Sequence, residues 1–249
     1  MDSGLYAACA GLRAQSEALE VVAHNLANLN TTGFRGEQTS FQSLVAAAGS
    51  TLPNILNLAT NNFGVLEGAH LDMTPGNLET TGNPLDVAIE GTGLFAIQTA
   101  HGTRYTRNGR FQVSSAGQLV TAAGDLVLSN PALKEKGAIS VPTGVISIAS
   151  DGTLSVNDAV AGTIALVDFA PGTPLTAQGE SLFTAPEGSA KPALQSQLKQ
   201  GALESSNVNS IGSVTALIGV ERQAGMLQRA MSLFDSEFNQ IASTQLGKV

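Results

Sequence analysis

Two long helical stripes, one at each end of the chain, constrain the fold of this 249-residue sequence more than any other feature. Leu5, Ala8, Leu12, Gln15, Leu19, Val22, Leu26 and Leu29 recur at alternating intervals of three and four, and only Gln15 is polar. Leu217, Val220, Ala224, Leu227, Met231, Phe234, Phe238 and Ile241 repeat the interval with apolar residues throughout. Such spacing lays one greasy seam along a helix, as in a coiled coil. From Leu217 to Ile241 the seam runs about 38 Å at a rise of about 1.5 Å per residue. Ser205, Ser206 and Asn207 are its expected N-caps, because their side-chain oxygens can accept from the free amides of a first turn. A helix with one apolar stripe draws most of its stability from tertiary packing. The two ends are therefore expected to pair with each other, with neighbouring chains, or both.

Between the seams the period changes to two. Val87 and Ile89, Phe95 and Ile97, and Phe111 and Val113 alternate with smaller or polar residues, and Gly91, Gly93, Gly102, Gly109 and Gly117 lie between or beside these runs. Further short apolar runs at 138–148, 153–156 and 164–169 are interrupted by Pro142, Gly144, Asp151-Gly152, Gly162 and Pro171-Gly172. This predicts a domain of many short antiparallel strands joined by tight turns. Residues 46–79 hold no sustained period and read as an extended connector; 170–200 read as a second loose passage. The fold class is α+β: residues 1–45 and 200–249 as a helical inner domain, and 80–199 as a β-rich outer domain.

The sequence offers no catalytic, cofactor or metal site. Gly91-Thr92-Gly93 fits a dinucleotide fingerprint, but the residues after it alternate like a strand, whereas that motif must open a helix. His24, His70 and His101 have no second ligand at metal spacing, and the single cysteine, Cys9, excludes an internal disulfide. Asp86 and Glu90 straddle a strand at i and i+4, as a glycosidase pair would, but Trp is absent and no aromatic platform accompanies them. With a net charge of −8 and only 12 Lys and Arg, nucleic acid is a poor partner. No apolar run reaches the roughly 18 residues that a membrane-spanning helix needs. The start, Met-Asp-Ser-Gly-Leu-Tyr, lacks the basic and then apolar layout of a secretory signal. Arg104, Arg107 and Arg110 form the densest basic cluster. They read either as a solvated hairpin rim around an Asn108-Gly109 turn or as a contact for an acidic patch on a neighbouring subunit.

His24 to Phe34 carries a more specific string. Asn25, Asn28, Asn30, Thr31, Gly33 and Phe34 match, position by position, the N-terminal signature of the flagellar axial proteins, the family of rod and hook subunits, which this chain resembles. Three further stretches agree with that family: Asn83-Pro84-Leu85-Asp86-Val87-Ala88-Ile89 with Gly91-Thr92-Gly93; Tyr105 to Phe111 with Gly117-Gln118-Leu119-Val120; and Leu203-Glu204-Ser205-Ser206-Asn207-Val208-Asn209. The length, the first six residues and Asp72-Met73-Thr74-Pro75-Gly76 are most similar to the proximal rod members, with distal rod or hook-type members second.

The resemblance implies a structural rod subunit that takes no cofactor. It would pair its terminal helices as a coiled-coil inner domain, assemble with copies of itself and other rod subunits, and help transmit torque from motor to hook. It would leave the cell through the flagellar export apparatus without a cleaved signal, reach the periplasm-spanning basal body, and insert into no membrane. A reading from a different class, a β-domain binding module or enzyme with helical oligomerisation arms, would need a convergent polar pocket.

Overall fold

The computed structural model describes residues 2–42, 65–129, 137–179, 181–193 and 195–246. The chain divides into two compact units, the first comprising Met1–Ala27, Glu37–His70 and Asn209–Val249, the second Asn28–Gly36 and Leu71–Val208.

The first unit holds α1 (Asp2–Ala27), the paired strands β1 (Glu37–Gln42) and β2 (Val65–Leu71), and α2 (Ser210–Leu246). The two helices pack against one another. In α1 the buried positions are the small residues Gly11, Ala14 and Ala18, while Leu12, Leu19, Val22 and Leu26 flank them half-buried. In α2 the least exposed positions include Leu217, Val220, Ala224, Leu227 and Met231, at the spacing read from sequence. The side chains of Leu5, Ala8, Phe234, Phe238 and Ile241 lie outside the described residues.

Two local expectations are corrected. Leu29 is not on the α1 seam, because the helix ends at Ala27. There the Asn28 carbonyl accepts from the Thr31 amide at 3.2 Å and the Asn28 side chain from the Thr31 hydroxyl at 3.0 Å, a turn that competes with helical continuation. The cap of α2 is Asn209 rather than Ser205, Ser206 or Asn207: its Oδ1 accepts from the Gly212 amide at 2.9 Å. Asn209→Ala is expected to destabilise α2 by about 1 kcal/mol, read as a lower midpoint of helical dichroism on heating. An unchanged midpoint would remove Asn209 as the cap.

The second unit is built on β4 (Val87–Glu90), β5 (Leu94–Thr99), β6 (Gly102–Thr106), β7 (Phe111–Val113), β8 (Leu119–Thr121) and β9 (Leu126–Val127). β5 is central, pairing with β6, β9 and β13 (Leu166–Asp168). Both its faces are buried. Phe95 and Ile97 enter a core with Val87, Phe111, Leu119, Leu154 and Ile164, and Leu94 and Ala96 enter another with Val167 and Phe183. Phe95 meets Phe111 edge to face at 5.0 Å.

A three-stranded sheet of β10 (Ile146–Ile148), β11 (Thr153–Val156) and β12 (Ala159–Thr163) adds Ile148, Leu154 and Val156 to the first core. The passage read as loose, 170–200, carries β14 (Thr176–Ala177), β15 (Leu182–Thr184), β16 (Lys191–Pro192) and the start of the 197–204 region. The connector read at 46–79 contains β2 and β3 (Leu78–Thr80), and β3 pairs with β18 (Ala202–Glu204). β17 (Gln197–Gln200) pairs with β4.

Candidate functional site

Glu204 ends β18 beside buried Ala202 and Leu203, so the strand carries its carboxylate into the interior of the second unit. One oxygen, Oε1, accepts from Arg35 Nη2 at 2.6 Å and from the Gly76 amide at 2.7 Å; the other, Oε2, accepts from Arg107 Nη1 at 3.1 Å. The three side chains are fully shielded from solvent. Arg107 also donates to the carbonyls of Ile89 and Gly91. Burial pulls the Arg107 guanidinium down to about 10 against the hold of Glu204, with the charge of Arg35 pulling the same way. Arg107 therefore remains a cation at neutral pH, and its own contribution to stability rises only as pH climbs above about 10 towards the usual guanidinium range.

Main chain closes around this triad. The Gly33 amide donates to the Glu204 carbonyl at 2.8 Å, and Gly36 to Asn207 Oδ1 at 2.8 Å. The Asp72 amide donates to the Gly36 carbonyl at 2.8 Å, while Asn207 Nδ2 donates to the carbonyls of Asp72 and Thr74 at 2.8 and 3.0 Å. The Gly201 amide donates to the Asp86 carbonyl at 2.7 Å, and Val87 to Gly109 at 3.0 Å. Gly109 lacks a side chain for a steric reason, since a Cβ there would lie 1.7 Å from the Val87 oxygen. Phe34 is buried beside them.

The four sequence motifs and Asp72–Gly76 thus converge on one clasp within the second unit. Three of the segments, 28–36, 72–76 and 203–208, adjoin the places where the chain passes between units, at 27/28, 36/37, 70/71 and 208/209. On the first unit's side, Asn25 ties α1 to the start of β1 by bonding the Glu37 carbonyl at 2.7 Å and its amide at 2.9 Å.

The arginine cluster divides. Arg107 is 1% exposed and belongs to the clasp, so it is neither a solvated rim nor an outward contact. Arg104 is held by Gln178 at 2.8 Å on the surface, and Arg110 is exposed. Asn108-Gly109 forms no hairpin, because β6 pairs with β5 and β15 whereas β7 pairs with β8. Asp86 and Glu90 also separate: Asp86 is buried and accepts from Asn83 Nδ2 at 3.0 Å, while Glu90 is exposed. Gly91-Thr92-Gly93 leads into strand β5, and the Gly93 amide is taken by Ser196 Oγ at 3.0 Å. His24, His70 and His101 fall in α1, β2 and the β5–β6 turn. Sequence reasoning missed Arg35, Glu204 and Asn207 as clasp residues. The available signal was an acidic residue directly after the apolar pair Ala202-Leu203 in a strand.

Comparison with known proteins decides the family. A family model described as "Flagella basal body rod protein" matches residues 5–35, and one described as "Flagellar hook protein FlgE/F/G D1 domain" matches 88–156. The chain is 33% identical to the flagellar basal-body rod protein FlgF of Mesorhizobium japonicum, over 98% of this chain and 99% of that protein. The chain belongs to the flagellar basal-body rod family. Other members it matches are FlgF of Caulobacter vibrioides, 32% identical over the whole of both chains, and FlgG of Bacillus subtilis, 33% identical over 88% and 89% of the two.

This rod-family chain is a structural protein and not an enzyme, as its named relatives are. The rod-protein match ends at Arg35, so it contains the whole signature and the first charged member of the clasp. The hook-protein match contains β5 and Arg107.

Proposed function

We propose that this chain is a proximal-type rod subunit, similar to FlgF, that assembles in the flagellar basal body with copies of itself and other rod subunits through α1 and α2. The observation that carries this reading is the state of the α2 seam: Leu217, Val220, Ala224, Leu227 and Met231 are each only half-buried in a single chain. Half-covered apolar area at coiled-coil spacing is free energy available to a neighbour, on the order of 25 cal/mol per Å² removed from water. Within the β unit, each segment that leads to the helical unit is bonded in the clasp, at Gly33 and Gly36, at Asp72 and at Asn207. On this reading the chain helps to transmit torque from motor to hook. Export through the flagellar apparatus without a cleaved signal, and residence in the periplasm-spanning rod, complete the reading. Arg104 and Arg110 remain candidates for contact with an acidic neighbour; Arg107 does not.

Leu227→Asp in the full chain is expected to abolish recovery in purified basal bodies and swimming, because a charge trapped in a closing seam costs several kcal/mol. The strand dichroism of the second unit should persist. Normal swimming would overturn the seam as the means of assembly.

A further inference from the structure

The side of α2 opposite the seam carries a second pattern. Ile218, Arg222, Met226, Arg229 and Leu233 follow one another at intervals of four, four, three and four, and all are exposed. Ile218, Met226 and Leu233 show 45%, 58% and 65% of their surface. At about 100° per residue this stripe lies diametrically across the helix from Leu217, Leu227 and Met231. Arg222 and Arg229 are the only Lys or Arg residues in Ser210–Leu246. Among the described residues neither forms an ion pair.

The complementary feature is on α1. A groove of about 430 Å³ is lined by Glu17, Glu20, Val21, His24 and the β1 residue Glu37. From Ala14 to Ala27 the helix has carboxylates but no Lys or Arg; Arg13, one turn before, donates to Glu17 Oε1 at 3.0 Å as an exposed pair, which a docking guanidinium would have to share or displace. Arg222 and Arg229 stand one heptad apart, about 10.5 Å along the axis. Glu17 stands one heptad before His24, and Glu37, whose main chain is bonded to Asn25, lines the same groove. Two cations a heptad apart on one helix are thus complementary in charge to a groove whose lining carries three carboxylates and no Lys or Arg.

We infer that the outer stripe of α2, anchored by Arg222 and Arg229, docks into the α1 groove of a second copy of this chain, one guanidinium at Glu17 and Glu20 and the other at Glu37. The inference rests on the self-assembly proposed above and names its surface. Groove and stripe are different patches of one molecule, so the contact is heterologous. A heterologous contact that does not close into a ring propagates into an open helical array, which a rod requires. The charges set partner and register; Ile218, Met226 and Leu233 supply apolar area.

Three full-length variants test this: Arg222→Glu with Arg229→Glu; Glu17→Lys with Glu20→Lys and Glu37→Lys; and the two sets combined. Each set alone is expected to reduce recovery in basal bodies about tenfold or more, since like charges facing each other are strongly unfavourable. The combined variant should regain most of the loss. In a parallel measurement, a mixture of isotopically light and heavy chains carrying Arg222→Lys and Arg229→Lys is treated with a carbodiimide, which joins amines to carboxylates in direct contact. Light-to-heavy links from α2 to Glu17, Glu20 or Glu37 are expected, and they should weaken at high salt. Links confined to single chains would overturn the inference, as would failure of the combined variant to recover, or links to another surface. If both reversed sets are recovered at wild-type level while Leu227→Asp is excluded, the groove contact fails and seam assembly stands. If Leu227→Asp is recovered too, the assembly reading itself fails.

Discussion

Glu204→Leu is expected to lower the stability of the β-rich unit by about 3–5 kcal/mol, the usual cost of removing one partner from a buried ion network. The substitution would leave Arg35 and Arg107 buried with no anion between them, and it would free the Gly76 amide that Glu204 now receives. Arg35 Nε and Nη1 and Arg107 Nε already have no hydrogen-bond partner among the described residues, so these cations have little in reserve. The measurement is urea unfolding of the full chain followed by strand dichroism. A companion variant separates charge from packing: Arg35→Met, Arg107→Met and Glu204→Leu together remove the network, and an apolar replacement of a whole buried triad is often neutral or stabilising. The triple variant should therefore regain much of the loss. If Glu204→Leu alone unfolds within about 0.5 kcal/mol of the parent, as a surface substitution would, the clasp does not hold the unit.

The parts of this fold that were legible in sequence are those whose signal is local. The α2 seam from Leu217 to Met231, the alternation through Val87–Ile89 and the strands at 153–156 and 164–169 each report on neighbours a few residues away. Helix ends were misplaced where a side chain does something other than what its type suggests. Asn207 looked like a cap, yet its amide is committed to Gly36, Asp72 and Thr74, and Asn209 caps instead. The arginine cluster misled for a related reason: spacing of three along the chain says nothing about depth, and Arg107 is aimed inward while Arg104 and Arg110 stay at the surface. The clasp was illegible as a site because its partners lie far apart in sequence, 169 residues for Arg35 and Glu204 and 97 for Arg107 and Glu204. Its segments were nonetheless visible as motifs. Glycine, asparagine and charge recurred where no helix or strand period explained them.

Gly33→Ala should be more damaging than its single added methyl suggests. Gly33 has φ of +67°, in the left-handed region, where a side chain costs roughly 1–2 kcal/mol. Gly82 has φ of +77° and nothing within 4 Å of where a Cβ would stand. Gly82→Ala therefore measures that conformational cost alone, roughly 1–2 kcal/mol. At Gly33 the same Cβ would lie 2.4 Å from the Arg107 carbonyl carbon and 2.4 Å from the Asn108 nitrogen. Those are backbone atoms in a packed unit and cannot swing aside as a flexible side chain would. Segment 28–36 would have to lift, breaking the Gly33 amide bond to the Glu204 carbonyl and drawing Arg35 away from its carboxylate. The expected loss exceeds about 4 kcal/mol, in the range reserved for named structural faults. Trypsin reports the lifting directly. Arg35 is 1% exposed in the intact clasp and should resist cleavage, whereas in Gly33→Ala the bond after it should be cut under conditions that spare both the parent and Gly82→Ala. Equal resistance at Arg35 in all three chains, with equal unfolding midpoints for the two alanine variants, would mean that the signature segment is not seated on the β unit.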